Sequence, residues 1–189
     1  MPRKTILMMQ PSRTQGKVWQ AALSSQDLSI IWEDNDFSVM QTLSELRQSA
    51  QVLPDLLLVD LALEGMNSYA LCRWCRDHCP NIQVILTNSQ RENISESELR
   101  WAIHQGAADL FPKFLDPEFA IKVTHAIKRV LEVLDCPALN QDGLAQILHL
   151  LTKPQPVAIA NSNRSDDTLP LLQKVSKAKT ALRYRGSTH

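Results

Sequence analysis

No stretch of this 189-residue chain approaches the roughly 20 consecutive apolar residues that a membrane span needs. The apolar run Ile6-Leu7-Met8-Met9 follows Arg3 and Lys4 but is far too short for the apolar region of a secretory leader. The expected compartment is therefore the cytoplasm, where the four cysteines would be reduced thiols. Glycine is scarce, with five residues, and none forms a phosphate-cradling loop or a dinucleotide fingerprint. A hydrolase triad and internal repeats are missing too. The expectation is a protein that is not an enzyme and holds no cofactor. Nor is there an excess of charge: Lys+Arg and Asp+Glu both number 20, so overall balance selects neither an acidic nor a basic partner.

The charge that is present is uneven. From Arg164 onward there are six basic residues (Arg164, Lys174, Lys177, Lys179, Arg183 and Arg185) against Asp166 and Asp167, a net +4 that leaves −4 for the rest. A basic end is most simply a solvated one, while nucleic acid, a membrane surface or an acidic partner is the functional alternative.

The richest stretch is Pro54-Asp55-Leu56-Leu57-Leu58-Val59-Asp60-Leu61. A short continuous apolar run suits a strand buried on both faces of a parallel sheet. Its closing carboxylate falls where open α/β sheets place functional groups. Strands are also expected over residues 5–9, 28–32, 83–86 and 108–111. Helical spacing appears over residues 15–24, 37–51, 69–78, 96–105 and 117–134. Gly106 closes the fourth helix and Pro117 opens the fifth. Such alternation requires crossovers and a parallel sheet covered on both faces, an α/β doubly wound fold with the flavodoxin-like strand order 2-1-3-4-5. A short helix is expected over 143–152, a Pro/Asn/Ser-rich linker over 153–168, and a further basic helix and polar end over 169–189.

Three segments resemble the receiver domain of two-component response regulators. Pro54 to Leu61, with Gly65-Met66-Asn67-Ser68-Tyr69 after it, is similar to the phosphoacceptor strand and loop. Val84-Ile85-Leu86-Thr87 is similar to the fourth strand with its switch hydroxyl. Gly106-Ala107-Ala108-Asp109-Leu110-Phe111-Pro112-Lys113 is similar to the last strand with its lysine. The resemblance spans about residues 3 to 134 and implies a (βα)5 receiver-like domain over 1–135, followed by a short helical extension over 136–152. It makes Asp60 the phosphoacceptor-like position and Thr87 and Lys113 the phosphate-contact positions. In the family the reaction also needs Mg²⁺, held by the acceptor and an acidic pair after the first strand. That requirement fits the hard oxygen ligands the ion demands and the charge neutralisation that phosphoryl transfer depends on.

Here the acidic pair's places fall on Gln10 and Pro11. A carboxamide is a weak ligand and a proline side chain offers none. Other departures agree: Phe114 stands where proline usually follows the lysine, Leu110 replaces an aromatic switch residue, and Glu64 lies where proline is common in the loop after Asp60. The resemblance is thus to a degenerate pseudo-receiver that binds no metal. Asp60 either keeps a slow phosphorylation or is a structural carboxylate that pairs with Lys113 beside Thr87.

Cys72, Cys75 and Cys79, with His78 beside them, have a spacing seen in zinc sites. Offsets of 3 and 7 also lie on one helix face, where thiols pack as small apolar groups, whereas a closed zinc site needs a fourth ligand and usually turns, not one continuous helix. Trp74 should project away from that face, as a partner contact or as packing. Residues 117–134 carry more apolar positions than one stripe needs, which suggests a homodimer through this last receiver helix or a cover made by the 143–152 helix. The end Arg183-Tyr184-Arg185-Gly186 is similar to short Tyr-Arg-Gly motifs in small proteins of oxygenic photosynthetic bacteria. It is a candidate partner-binding tail, with a plain solvated end as the alternative.

Taken together, the expected function is a non-catalytic pseudo-receiver that binds a protein partner as a regulatory or assembly module, in such a bacterium if the tail motif is a guide. The alternative is a phosphorylatable single-domain response regulator of a phosphorelay using Asp60. Control of transcription would need a recognition-helix pattern that the residues after the receiver lack, which argues against nucleic acid.

Overall fold

The computed structural model describes residues 3–33, 38–115 and 117–152. The linker and tail, including Arg183, Tyr184, Arg185 and Gly186, lie outside the described residues, as do Asp34 and Asp36.

Five apolar runs become the strands β1 (Thr5–Met9), β2 (Ser29–Glu33), β3 (Leu56–Asp60), β4 (Gln83–Asn88) and β5 (Asp109–Pro112). They form one parallel sheet in the order β2-β1-β3-β4-β5, the flavodoxin-like order expected from the sequence. The central strand β3 is buried at every position, because helices cover both sides. Leu56, Leu57, Leu58 and Val59 are wholly inaccessible, and burying such a side chain stabilises by about 2 kcal/mol each.

Alternation along the strands divides the core in two. Ile6, Met8, Leu56, Leu58, Ile85 and Phe111 face α1 (Arg13–Ser24) and α5 (Phe119–Val133). Leu7, Met9, Leu57, Val59, Leu86 and Leu110 face α2 (Val39–Gln48), α3 (Ser68–His78) and α4 (Glu96–Gln105).

Local chemistry sets the helix ends. The Ser12 hydroxyl caps α1 by accepting from the Gln15 N–H, and Asn67 caps α3 by accepting from Ala70 N–H at 3.0 Å. Ser95 and Glu98 form a reciprocal capping box on α4, and Gly106, at φ 106°, ends that helix in the left-handed region. Gly16 lies against the Trp32 ring of β2, so a Cβ there would force that ring to move. Helix α5 begins at Phe119, two residues after the Pro117 start expected from sequence, with Glu118 as its non-capping first flank.

A sixth helix, α6 (Gln141–Thr152), packs against the same side of the sheet as α1 and α5. Leu144 is buried in that cluster, with Leu139 and Leu148 packed on it. The turn into α6 is tied to the end of α1: Gln26 Nε2 donates to Asn140 O at 3.2 Å, and Asn140 N–H donates to Gln26 Oε1 at 2.8 Å. The surplus apolar positions of α5 are thereby partly used, while Ile121 stays 72% exposed. If α6 is integral to the folding unit, Leu144→Ala will cost about 2–4 kcal/mol within a single cooperative transition. Urea unfolding followed by far-UV circular dichroism measures this, and an unchanged midpoint would show the helix to be peripheral.

Candidate functional site

The strand register builds the site. Asp60 pairs laterally with Thr87, and Met9 pairs with Val59, so Gln10 emerges from β1 beside Asp60 at the carboxyl edge of the sheet. Asp60 is wholly inaccessible, and Gln10 and Thr87 are buried with it.

A buried carboxylate must have its lone pairs satisfied, since an unpaired charge in the interior is very costly. Asp60 receives four donors. Its Oδ1 accepts from Ala62 N–H at 2.8 Å and from the Ser89 hydroxyl at 3.1 Å. Its Oδ2 accepts from the Thr87 hydroxyl at 2.8 Å and from Ser89 N–H at 2.9 Å. Gln10 completes the arrangement from outside, with Nε2 donating to Thr87 Oγ1 at 2.9 Å. Because that oxygen accepts from the amide, its own proton is directed to Asp60. The Asp60 carbonyl is held as well, by the Ser68 hydroxyl at 3.2 Å, which pins the start of α3 to the strand end.

Lys113 does not join this cluster. The expected Asp60–Lys113 ion pair does not form; the carboxylate is satisfied instead by two hydroxyls and two backbone N–H groups. The Lys113 backbone N–H donates to Arg91 O at 2.7 Å, and the next residue is clamped from the opposite side. Gln15, buried on α1, donates Nε2 to Phe114 O at 3.1 Å and accepts the Phe114 N–H on Oε1 at 3.0 Å. This amide pair fixes the strand exit where the usual proline is missing. Pro11 lies beside Gln10 and offers no ligand, so a divalent cation would find Asp60 alone among carboxylates at the predicted metal positions. Among the described residues, no group of three or more acidic, histidine or cysteine side chains could hold a metal ion.

No protein-family model matches this chain, and no curated protein does. Solved structures do match in shape. A response regulator from Thermotoga maritima superposes with a TM-score of 0.53 at 20% identity, covering 70% of this chain and 98% of that one. A response regulator receiver protein from Burkholderia phymatum gives 0.53 at 18% identity, over 72% and 98%. The signal receiver domain of a DNA-binding response regulator from Colwellia psychrerythraea gives 0.51 at 20% identity, over 68% and 98%. The chain has the receiver fold. At these identities the likeness is one of architecture, and the chemistry of the edge has to be argued from the side chains present.

The remaining candidates find ordinary places on that receiver fold. Cys72, Cys75 and Cys79 are buried between α3 and the sheet, these three and Cys136 are all free thiols, and burial pushes the Cys72 and Cys75 thiols up to about 12. Trp74 stacks on His78 with ring centroids 4.9 Å apart and packs against the core edge. Trp101 is the exposed one, at 54%, on α4. Sequence reasoning missed Ser89 and Gln15. A hydroxyl two residues beyond Thr87 was the available signal for the first, and an amide on the apolar face of α1 for the second.

Two outcomes follow. Asp60→Asn will destabilise by about 1–3 kcal/mol, because either orientation of the amide sets its NH₂ against the backbone N–H of Ala62 or of Ser89. In an acidic cluster the same change would relieve repulsion, so a rise in thermal midpoint would refute this account. The thiols give the second outcome. Their folded values lie above the unfolded one near 9, so the stability they supply is complete below about pH 9 and is lost as pH climbs towards about 12. At pH 8 iodoacetamide should therefore label the half-buried Cys136 and spare Cys72 and Cys75, as read by peptide mass spectrometry.

Proposed function

We propose that this chain is a receiver-fold regulatory module that works by binding another protein, with its acceptor aspartate locked instead of phosphorylated. The observation that carries the reading is the fourfold capping of Asp60 together with Gln10 and Pro11 at the metal positions. Phosphorylation would require an Asp60 oxygen to leave two donors and attack phosphorus, with no second carboxylate to bring in Mg²⁺. Every lone pair used on Asp60 is one removed from that nucleophile. The module is then a fixed shape, and its output is decided by what its surface meets.

The partner is proposed to be a protein. Its contacts would be the exposed residues of the helical faces and the basic end carrying Arg183, Tyr184, Arg185 and Gly186, which suits an acidic groove. Two weak contacts joined by a linker act through effective concentration. A second copy docking through α5, where Ile121 is exposed, is the homotypic version of the same idea. Among the described residues, no helix is long and apolar enough to cross a membrane. We place the module in the cytoplasm and assign it no enzymatic activity.

One observation favours the second reading, a phosphorylatable response regulator: the Thr87 hydroxyl already lies 2.8 Å from Asp60, where it would contact a phosphoryl group. Incubation with acetyl phosphate and millimolar Mg²⁺, followed by intact-mass measurement, separates the two. The expected result is no mass gain and no shift in thermal midpoint with Mg²⁺. A stoichiometric phosphoryl adduct that is absent from Asp60→Asn would establish the second reading.

A further inference from the structure

Helix α6 builds something that the five-helix arrangement does not have. It begins near the end of α1, where Asn140 meets Gln26, and it ends near the start of α1, where Leu151 and Thr152 approach Arg13. Leu144 is buried, while towards Thr152 a cavity of about 530 Å³ is left between α1, the segment after β5, the start of α5 and the end of α6. That volume falls within the range of small-molecule sites, about 300–1,000 Å³.

The walls are chemically divided. Val18, Phe114, Phe119 and Leu151 supply an apolar side. Arg13 and Lys17, one turn apart on α1, supply two cations on one edge. Neither has a carboxylate partner or a side-chain hydrogen bond among the described residues. Of the other polar side chains in the wall, the Gln15 amide is committed to the Phe114 backbone and the Thr152 hydroxyl to Leu148 O at 2.9 Å, which leaves the Thr14 hydroxyl beside the two cations. A second cavity of about 430 Å³, near Cys136, makes the contrast plain. Its cations are neutralised locally, Arg3 by Asp27 at 3.3 Å and Lys4 by Asp55 at 2.8 Å, and a carboxylate, Asp135, stands in its wall, so it offers no unanswered cation.

We infer that the α1–α5–α6 cavity is a binding site for a small amphipathic carboxylate, with its anionic head between Arg13 and Lys17 and its apolar body along Phe114, Phe119 and Leu151. The head and body requirements are separable. An anion without a body gains only an exposed ion pair, which contributes little. An apolar body without the charge leaves two cations facing its end. The site does not depend on the state of Asp60, so it stands or falls separately from the locked-aspartate reading.

The test titrates the full-length protein with octanoate, acetate and octanol, using calorimetry and backbone amide NMR. Octanoate is expected to bind saturably at one site, with shifts concentrated at Lys17, Val18, Phe114, Phe119 and Leu151. Acetate should give no measurable binding, and octanol should bind about fivefold to tenfold more weakly than octanoate. The double variant Arg13→Gln/Lys17→Gln alters two exposed side chains and should keep its thermal midpoint, while its octanoate affinity drops to the octanol level. Absence of saturable octanoate binding, equal affinity for octanoate and octanol, or undiminished affinity in the double variant would each overturn the assignment.

Discussion

The carboxylate of Asp60 governs the rest of the carboxyl edge. It sits at the end of a strand with no solvent access, so its charge has to be stabilised by groups brought from elsewhere in the chain. Those groups come from the loop after its own strand and from the end of its neighbour, because the parallel register sets Asp60 against Thr87 and carries Ser89 just beyond. Gln10, from a third strand, then orients the Thr87 hydroxyl. Three strand ends are thus knitted by hydrogen bonds at the place where a metal-dependent edge would be held apart by like charges.

This arrangement inverts the usual economy of such an edge. Clustered carboxylates repel one another and are tolerated for the sake of an ion that binds them. With an amide and a proline in their places, the repulsion is gone and so is the attraction for the ion. What remains is a polar network with no buried side-chain donor or acceptor left unpartnered among the described residues. Such networks favour a single conformation, since any alternative leaves a polar group unanswered.

The scaffold was legible because its signals are local and redundant. Apolar runs of strand length, helical spacing between them and Gly106 after the fourth helix all agree with the final order of the sheet. Asp60 and Thr87 could be associated because the receiver resemblance puts both at the carboxyl edge, and the register sets them side by side. The Asp60–Lys113 pairing was misjudged because sequence order says where a lysine stands but not whether a hydroxyl has reached the carboxylate first. Ser89 lies in a connection with no periodicity to read, and Gln15 is an amide whose partner is 99 residues away. The start of α5 slid from Pro117 to Phe119 because a suitable first-turn residue is permission to begin a helix, and tertiary packing decides where it does. The role of α6 was open for the same reason: the surplus apolar positions of α5 fit a homodimer or a cover made by this helix, and the burial of Leu144 shows that α6 covers part of that face.

The clasp between Gln15 and Phe114 has a mechanical consequence. Two opposed hydrogen bonds at 3.1 and 3.0 Å bolt the first turn of α1 to the exit of β5, much as a rung joins two rails. The stretch holding Lys113 therefore moves with α1 unless both bonds break. Leverage between segments 99 residues apart is built into one side chain, and a push on either lever arm is felt at the other.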